Sequence, residues 1–87
     1  MEFEFDEKKS RSNFEKHGMD FSQARSLWLD PNRLEVTARS ESESRFALIA
    51  SYENRLWTAI FTRREERTRI ISVRRSRHEE EQGYHQC

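Results

Sequence analysis

The chain has 87 residues, 33% of them hydrophobic and 37% charged, and its sixteen basic and sixteen acidic side chains cancel. That length predicts a single domain over 1–87 that buries roughly 64% of its unfolded surface, too thin a core for a deep cofactor cavity. Six Phe, two Trp and two Tyr argue against the disorder that so much charge alone would suggest.

Glu2-Phe3-Glu4-Phe5 alternates strictly and predicts a short strand that buries Phe3 and Phe5. Asp6 fits the N-cap of a helix running to about Lys16, and Gly18 supplies a left-handed stop. A second short helix is expected over Ser22 to Leu29, ended by Asp30-Pro31, with Phe21, Ala24, Leu27 and Trp28 buried. Four β-rich segments follow: Leu34 to Ala38, Arg45 to Tyr52, Leu56 to Arg63 and Thr68 to Arg74. Ser40 to Ser44 reads as a mobile polar loop. Glu53-Asn54 fits a two-residue hairpin turn, and Arg64-Glu65-Glu66 a looser one. Ser76 and Glu79 have capping-box spacing and open a C-terminal helix. The order β-α-α-β-β-β-β-α implies an α+β fold, an antiparallel sheet with helices packed on it.

Thirteen of the sixteen bases are Arg. Arg55 to His78 holds eight of them against only Glu65 and Glu66. Guanidinium forks onto phosphate oxygens with two parallel hydrogen bonds, so this bias suits a phosphate-binding surface. The competing reading is a salt-bridged surface in which Arg and Glu pair with each other. In a regular strand Arg69, Ile71, Val73 and Arg75 share one face, with Ile71 and Val73 as core, while Ile70, Ser72 and Arg74 share the other. Trp57, Ala59, Phe61 and Arg63 share a face of the preceding strand, and Arg interleaved with aromatics is the usual make-up of an RNA-contacting surface. His17 stands at a helix end, where the dipole favours a cation, and is also the side chain best suited to exchange protons near neutral pH. Glu80 and Tyr84, four apart on the last helix, share a face. His78, His85 and Cys87 match no common zinc spacing, so no metal or other cofactor is expected. One Cys excludes an internal disulfide and suits a reducing compartment. No apolar run approaches the ~20 residues that cross a bilayer. The acidic start Met1 to Glu7 is unlike a secretory signal, which places the expected location in the cytoplasm.

Phe3-Glu4-Phe5-Asp6-Glu7-Lys8-Lys9, then Asn13, Lys16-His17-Gly18-Met19, Phe21 and Ala24, resemble the N-terminal signature of the BrnT toxins. Arg69 to Ser76, followed by Glu80 and Tyr84, is similar to that family's C-terminal signature. The resemblance implies a RelE-like ribonuclease toxin of a type II toxin–antitoxin system, which cleaves RNA, free or on the ribosome, and arrests translation. It also implies neutralisation by a BrnA-like antitoxin carrying a ribbon-helix-helix DNA-binding segment. Carried onto matching positions, it implicates Lys9, His17, Arg63, Arg69, Arg74, Glu80 and Tyr84.

Metal-free RNA cleavage needs a base for the 2′-hydroxyl proton, cations for the charge on the phosphorane, and an acid for the leaving 5′-oxygen. Lys9, Arg63, Arg69, Arg74 and Arg75 are expected on phosphate. His17, Glu80 and Tyr84 are the expected proton carriers, with His17 or Glu80 the better base. The rival from another class is a non-catalytic nucleic-acid-binding or partner-docking module that uses the same arginines.

Overall fold

A computed structural model describes residues 1–39 and 43–86. Ser40, Glu41 and Ser42 of the expected polar loop lie outside them, as does Cys87. The chain forms β1 (Glu2–Glu4), α1 (Glu7–His17), α2 (Phe21–Ala24), a 3-10 turn (Arg25–Leu29), β2 (Leu34–Ala38), β3 (Arg45–Tyr52), β4 (Arg55–Arg64), β5 (Arg67–Arg75) and α3 (His78–Gln86). Asp6 caps α1 as its side chain accepts from the amides of Lys8 (2.8 Å) and Lys9 (3.2 Å), and Gly18 ends it at φ 86°. Asp20 and Gln23 form a full capping box at the start of α2.

The five strands form one sheet in the order β1-β5-β4-β3-β2. The sheet is mixed rather than antiparallel, because β1 runs parallel to β5, with Phe3 beside Thr68. Alternation in Glu2-Phe3-Glu4-Phe5 reports which side chains are buried and carries no information on direction. Direction comes from α1, which continues along β5 beyond the end of β1. There the Asn13 amide takes the place of a neighbouring strand: its Nδ2 donates to the Val73 carbonyl (2.8 Å) and its Oδ1 accepts from the Val73 amide (3.2 Å). Nδ2 also reaches the Met19 carbonyl at 2.7 Å. A buried strand edge is thereby left with its polar groups paired.

Both hairpin turns are two residues long. Glu53 and Asn54 take φ of 51° and 65° between paired Tyr52 and Arg55, as expected. The next hairpin is equally tight, not looser: Arg64 pairs with Arg67, and only Glu65 needs a positive φ.

The core lies between the sheet and the α1–α2 layer. Phe21, Ala24, Leu27 and Trp28 meet Leu48, Ala50, Trp57, Ala59, Phe61, Ile70 and Val73. Phe3 and Phe61 both stand edge-on to Trp28, at 5.0 and 5.1 Å. One element departs from simple alternation. The β4–β5 register shifts at Ile60/Phe61, where Ile60 faces Ser72 but Phe61 faces Ile70, so Ile71 is an extra residue in β5. Such a bulge reverses the inside–outside pattern after it. Ile70 (2% exposed) and Val73 (0%) are therefore the core residues, while Ile71, expected inside, is only half-buried. Ile70→Ala should cost about 2–5 kcal/mol in urea denaturation. Ile71→Ala should cost clearly less, and equal losses would show that the strand is regular.

Candidate nucleic-acid interface

The bulge and the strand pairing scatter the arginines that the sequence groups. Arg63 lies on the α1–α2 side at the far end of the sheet, forked onto Glu35 at 2.8 and 3.1 Å and over the rings of Phe46 (4.8 Å) and Phe61 (5.3 Å). Arg69 meets Glu4 of β1 at 3.3 Å. Arg74 points to the opposite face and forks onto Glu80 at 2.8 and 2.9 Å. Arg64 and Arg67 also face carboxylates, those of Glu43 and Glu2. Five of the eight arginines between Arg55 and His78 are thus ion-paired, much as a salt-bridged surface requires.

Arg74, Glu80 and Tyr84 do come together, as the tether of α3. Glu80 accepts from Arg74, from the Thr58 hydroxyl (3.0 Å) and from the Arg77 amide (2.7 Å). Burial works to raise its pKa but is outweighed by Arg74 and these other donors, which hold it at about 2. Its contact with the Arg77 amide also moves the helix cap one residue along. Ser76 and Glu79, expected as a capping box, do not cap α3, because the Ser76 hydroxyl is engaged with Thr58 at 2.8 Å. Tyr84 donates to Asp30 Oδ2 at 2.7 Å, and that bond, with burial, pushes its pKa up to about 12. The same Asp30 oxygen accepts from the Ser51 amide at 2.8 Å. A carboxylate held ionised and a phenol held protonated are both poor proton carriers near neutral pH.

Four cations without a carboxylate partner lie together elsewhere. His17, at the end of α1, lines two neighbouring depressions. The larger, about 440 Å³, includes Tyr52, Glu53, Arg55, Trp57 and Arg75. Arg75 lies 5.6 Å over the indole of Trp57, whose buried Nε1 has no partner among the described residues. The smaller, about 220 Å³, includes Lys9, Ser12, Lys16, Ile71 and Ser72. Among the described residues, none of Lys9, Lys16, Arg55 and Arg75 has a carboxylate within ion-pair distance. Of the expected site residues, then, the structure gathers Lys9, His17 and Arg75 in one region and leaves Arg63, Arg69, Arg74, Glu80 and Tyr84 outside both depressions.

Sequence reasoning missed Arg55, Tyr52 and Trp57 as neighbours of His17, and did not count Lys16, beside it in the chain, among the site residues. One signal was available: the Glu53-Asn54 turn brings Tyr52 opposite Arg55, and Trp57 is two residues further along β4. No group of His, Cys, Asp and Glu among the described residues is arranged to hold a metal ion. No helix among them is long and apolar enough to cross a membrane.

Four unpaired cations of this α+β domain thus stand around one histidine. The family model of the ribonuclease toxin BrnT, of type II toxin–antitoxin systems, matches residues 5–80, and the chain belongs to that family. Membership makes it a ribonuclease toxin by family, with an antitoxin as partner. No curated protein matches the chain.

The Glu80 tether has a pH signature. A carboxylate with its folded pKa lowered to about 2, from 4.5, stabilises the fold fully above pH 4.5, and that stabilisation fades as pH falls towards 2. Glu80→Gln should lower the melting temperature at neutral pH and flatten the acid limb of the stability curve. An unchanged acid limb would place the linkage on another group.

Proposed function

We propose that the protein is a metal-independent endoribonuclease that cuts RNA by attack of the 2′-hydroxyl and so arrests translation in the cytoplasm. A BrnA-like antitoxin with a ribbon-helix-helix DNA-binding segment holds it inactive. A helix layer on one face of the sheet and a C-terminal helix on the other fit a RelE-like toxin. The observation that carries the reading to particular residues is the convergence of unpaired Lys9, Lys16, Arg55 and Arg75 on His17.

In this reading His17 accepts the 2′-hydroxyl proton as the 2′-oxygen attacks phosphorus. Arg55 and Arg75 hold the charge that builds on the phosphorane oxygens, the role in which preformed cations are most effective. A proton from water or from a lysine of the smaller depression goes to the departing 5′-oxygen, leaving a 2′,3′-cyclic phosphate. Arg63, Arg69, Arg74, Glu80 and Tyr84 then serve the site through the fold, since each already has a protein partner.

Induction in growing cells, with and without the antitoxin, is the first test, and growth arrest relieved by the antitoxin is the expected outcome. In vitro, His17→Ala should reduce cleavage by roughly 10²- to 10⁴-fold with RNA binding retained. Substrate with a 2′-deoxy group at the cut site should bind and stay intact. Wild-type protein that binds RNA but cuts none, alone or on ribosomes, would instead establish the binding module.

A further inference from the structure

Among the described residues, His17 alone lines both depressions, so it stands on the ridge between them. The two sides differ in chemistry. On the larger side Arg55 and Arg75 stand with Glu53 as the one acid of the lining. On the smaller side Lys9, Ser12 and Lys16 face the β5 edge, and the lining holds no acid at all.

The smaller depression is more than a chance patch of solvated lysine, because charge is sorted around α1. Lys9 and Lys16 are seven residues apart, two helical turns, with Ser12 between them on the same side. The acids Glu7 and Glu15 line a different depression, with Phe14 and Arg11. There Arg11 stands between the two acids at i, i+4, the mixing a solvated face gains from, whereas the side of Lys9 and Lys16 carries no acid. The strand beneath contributes as well. The pairing of β1 ends at Arg69 and the Asn13 amide covers Val73, so Ile71 and Ser72 line the floor between them. The bulge that displaces Ile71 from the core is what brings it there.

We infer that a single RNA strand crosses His17 and is held by phosphates on both sides of the cut, by Arg55 and Arg75 in one depression and by Lys9 and Lys16 in the other. This rests on the ribonuclease reading and adds to it a second phosphate-holding subsite, along α1 and the bulged edge of β5. The enzyme therefore grips substrate both before and after the scissile bond. Flexible single-stranded RNA fits this, since the two depressions meet at a single side chain.

The test uses the whole chain and a 2′-O-methyl oligoribonucleotide of about ten nucleotides, within the usual footprint of a single-strand site, which lacks the attacking hydroxyl. Binding is followed by fluorescence anisotropy across a salt series. Each lost contact to a single-strand phosphate should reduce the salt slope by about 0.7. The pair Lys9→Ala with Lys16→Ala should therefore lower the slope by about 1.4 and weaken binding roughly tenfold. The pair Arg55→Ala with Arg75→Ala should do likewise. Arg11→Ala, on the acidic side of α1, should change neither. If the lysine pair binds like wild type while the arginine pair is weakened, the second subsite is wrong and the ribonuclease reading stands. If Arg11→Ala costs as much as one of the lysines, binding is diffuse and the inference falls. If wild-type protein binds no RNA, the reading beneath it fails.

Discussion

One extra residue in β5 decides where its arginines point. Without the bulge at Ile71, strict alternation would carry Arg74 towards the α1–α2 layer and Arg75 away from it. With it, Ile70 and Val73 both enter the core, three residues apart instead of two. Arg74 then lies beside Thr58 and reaches Glu80, while Arg75 lies beside Trp57 and covers its ring. One arginine becomes part of the scaffold and its neighbour remains free for a ligand. The Asn13 amide fixes this arrangement from the other side. It pairs both backbone groups of Val73 and ties α1, which carries Lys9, Lys16 and His17, to the same strand.

The neutral composition conceals a division of labour among cations. Arg63, Arg69 and Arg74 are spent on carboxylates of three different elements, β2, β1 and α3. Exposed pairs of this kind add little stability individually. The Arg74–Glu80 pair, at 22% and 21% side-chain exposure, is the best shielded and has the most hydrogen bonds around it. Of the cations left unpaired among the described residues, Lys9, Lys16, Arg55 and Arg75 are adjacent in space.

Much of the fold was legible because it follows from local rules. The Asp6 cap, the Gly18 stop, the Glu53-Asn54 turn and the element order all appear where short-range chemistry puts them. The parallel pairing of β1 was not legible, since its partner lies more than fifty residues away in the chain, and the bulge was not, since it breaks period-2 alternation inside a hairpin whose residues give no sign of it. The same limit governed the site. Composition revealed an arginine-rich strand region, but whether an arginine is free depends on the carboxylate it meets, and Glu35, Glu4 and Glu80 reach theirs only through the tertiary fold. His17, by contrast, was singled out from its position and chemistry, and it lies beside four of the unpaired cations.

No residue of α3 is buried. Its hold on the sheet is polar, through Glu80 and Tyr84, and through the close approach that Gly83 permits at Leu34, where a Cβ would come within 3.3 Å of a methyl group. Elements without an apolar anchor open at lower free energy than the core around them. In native-state hydrogen exchange α3 would therefore form a separate unit, its amides exchanging well ahead of those of β3, β4 and β5. Because ions hold it, added salt would speed that opening while leaving the apolar core largely unaffected.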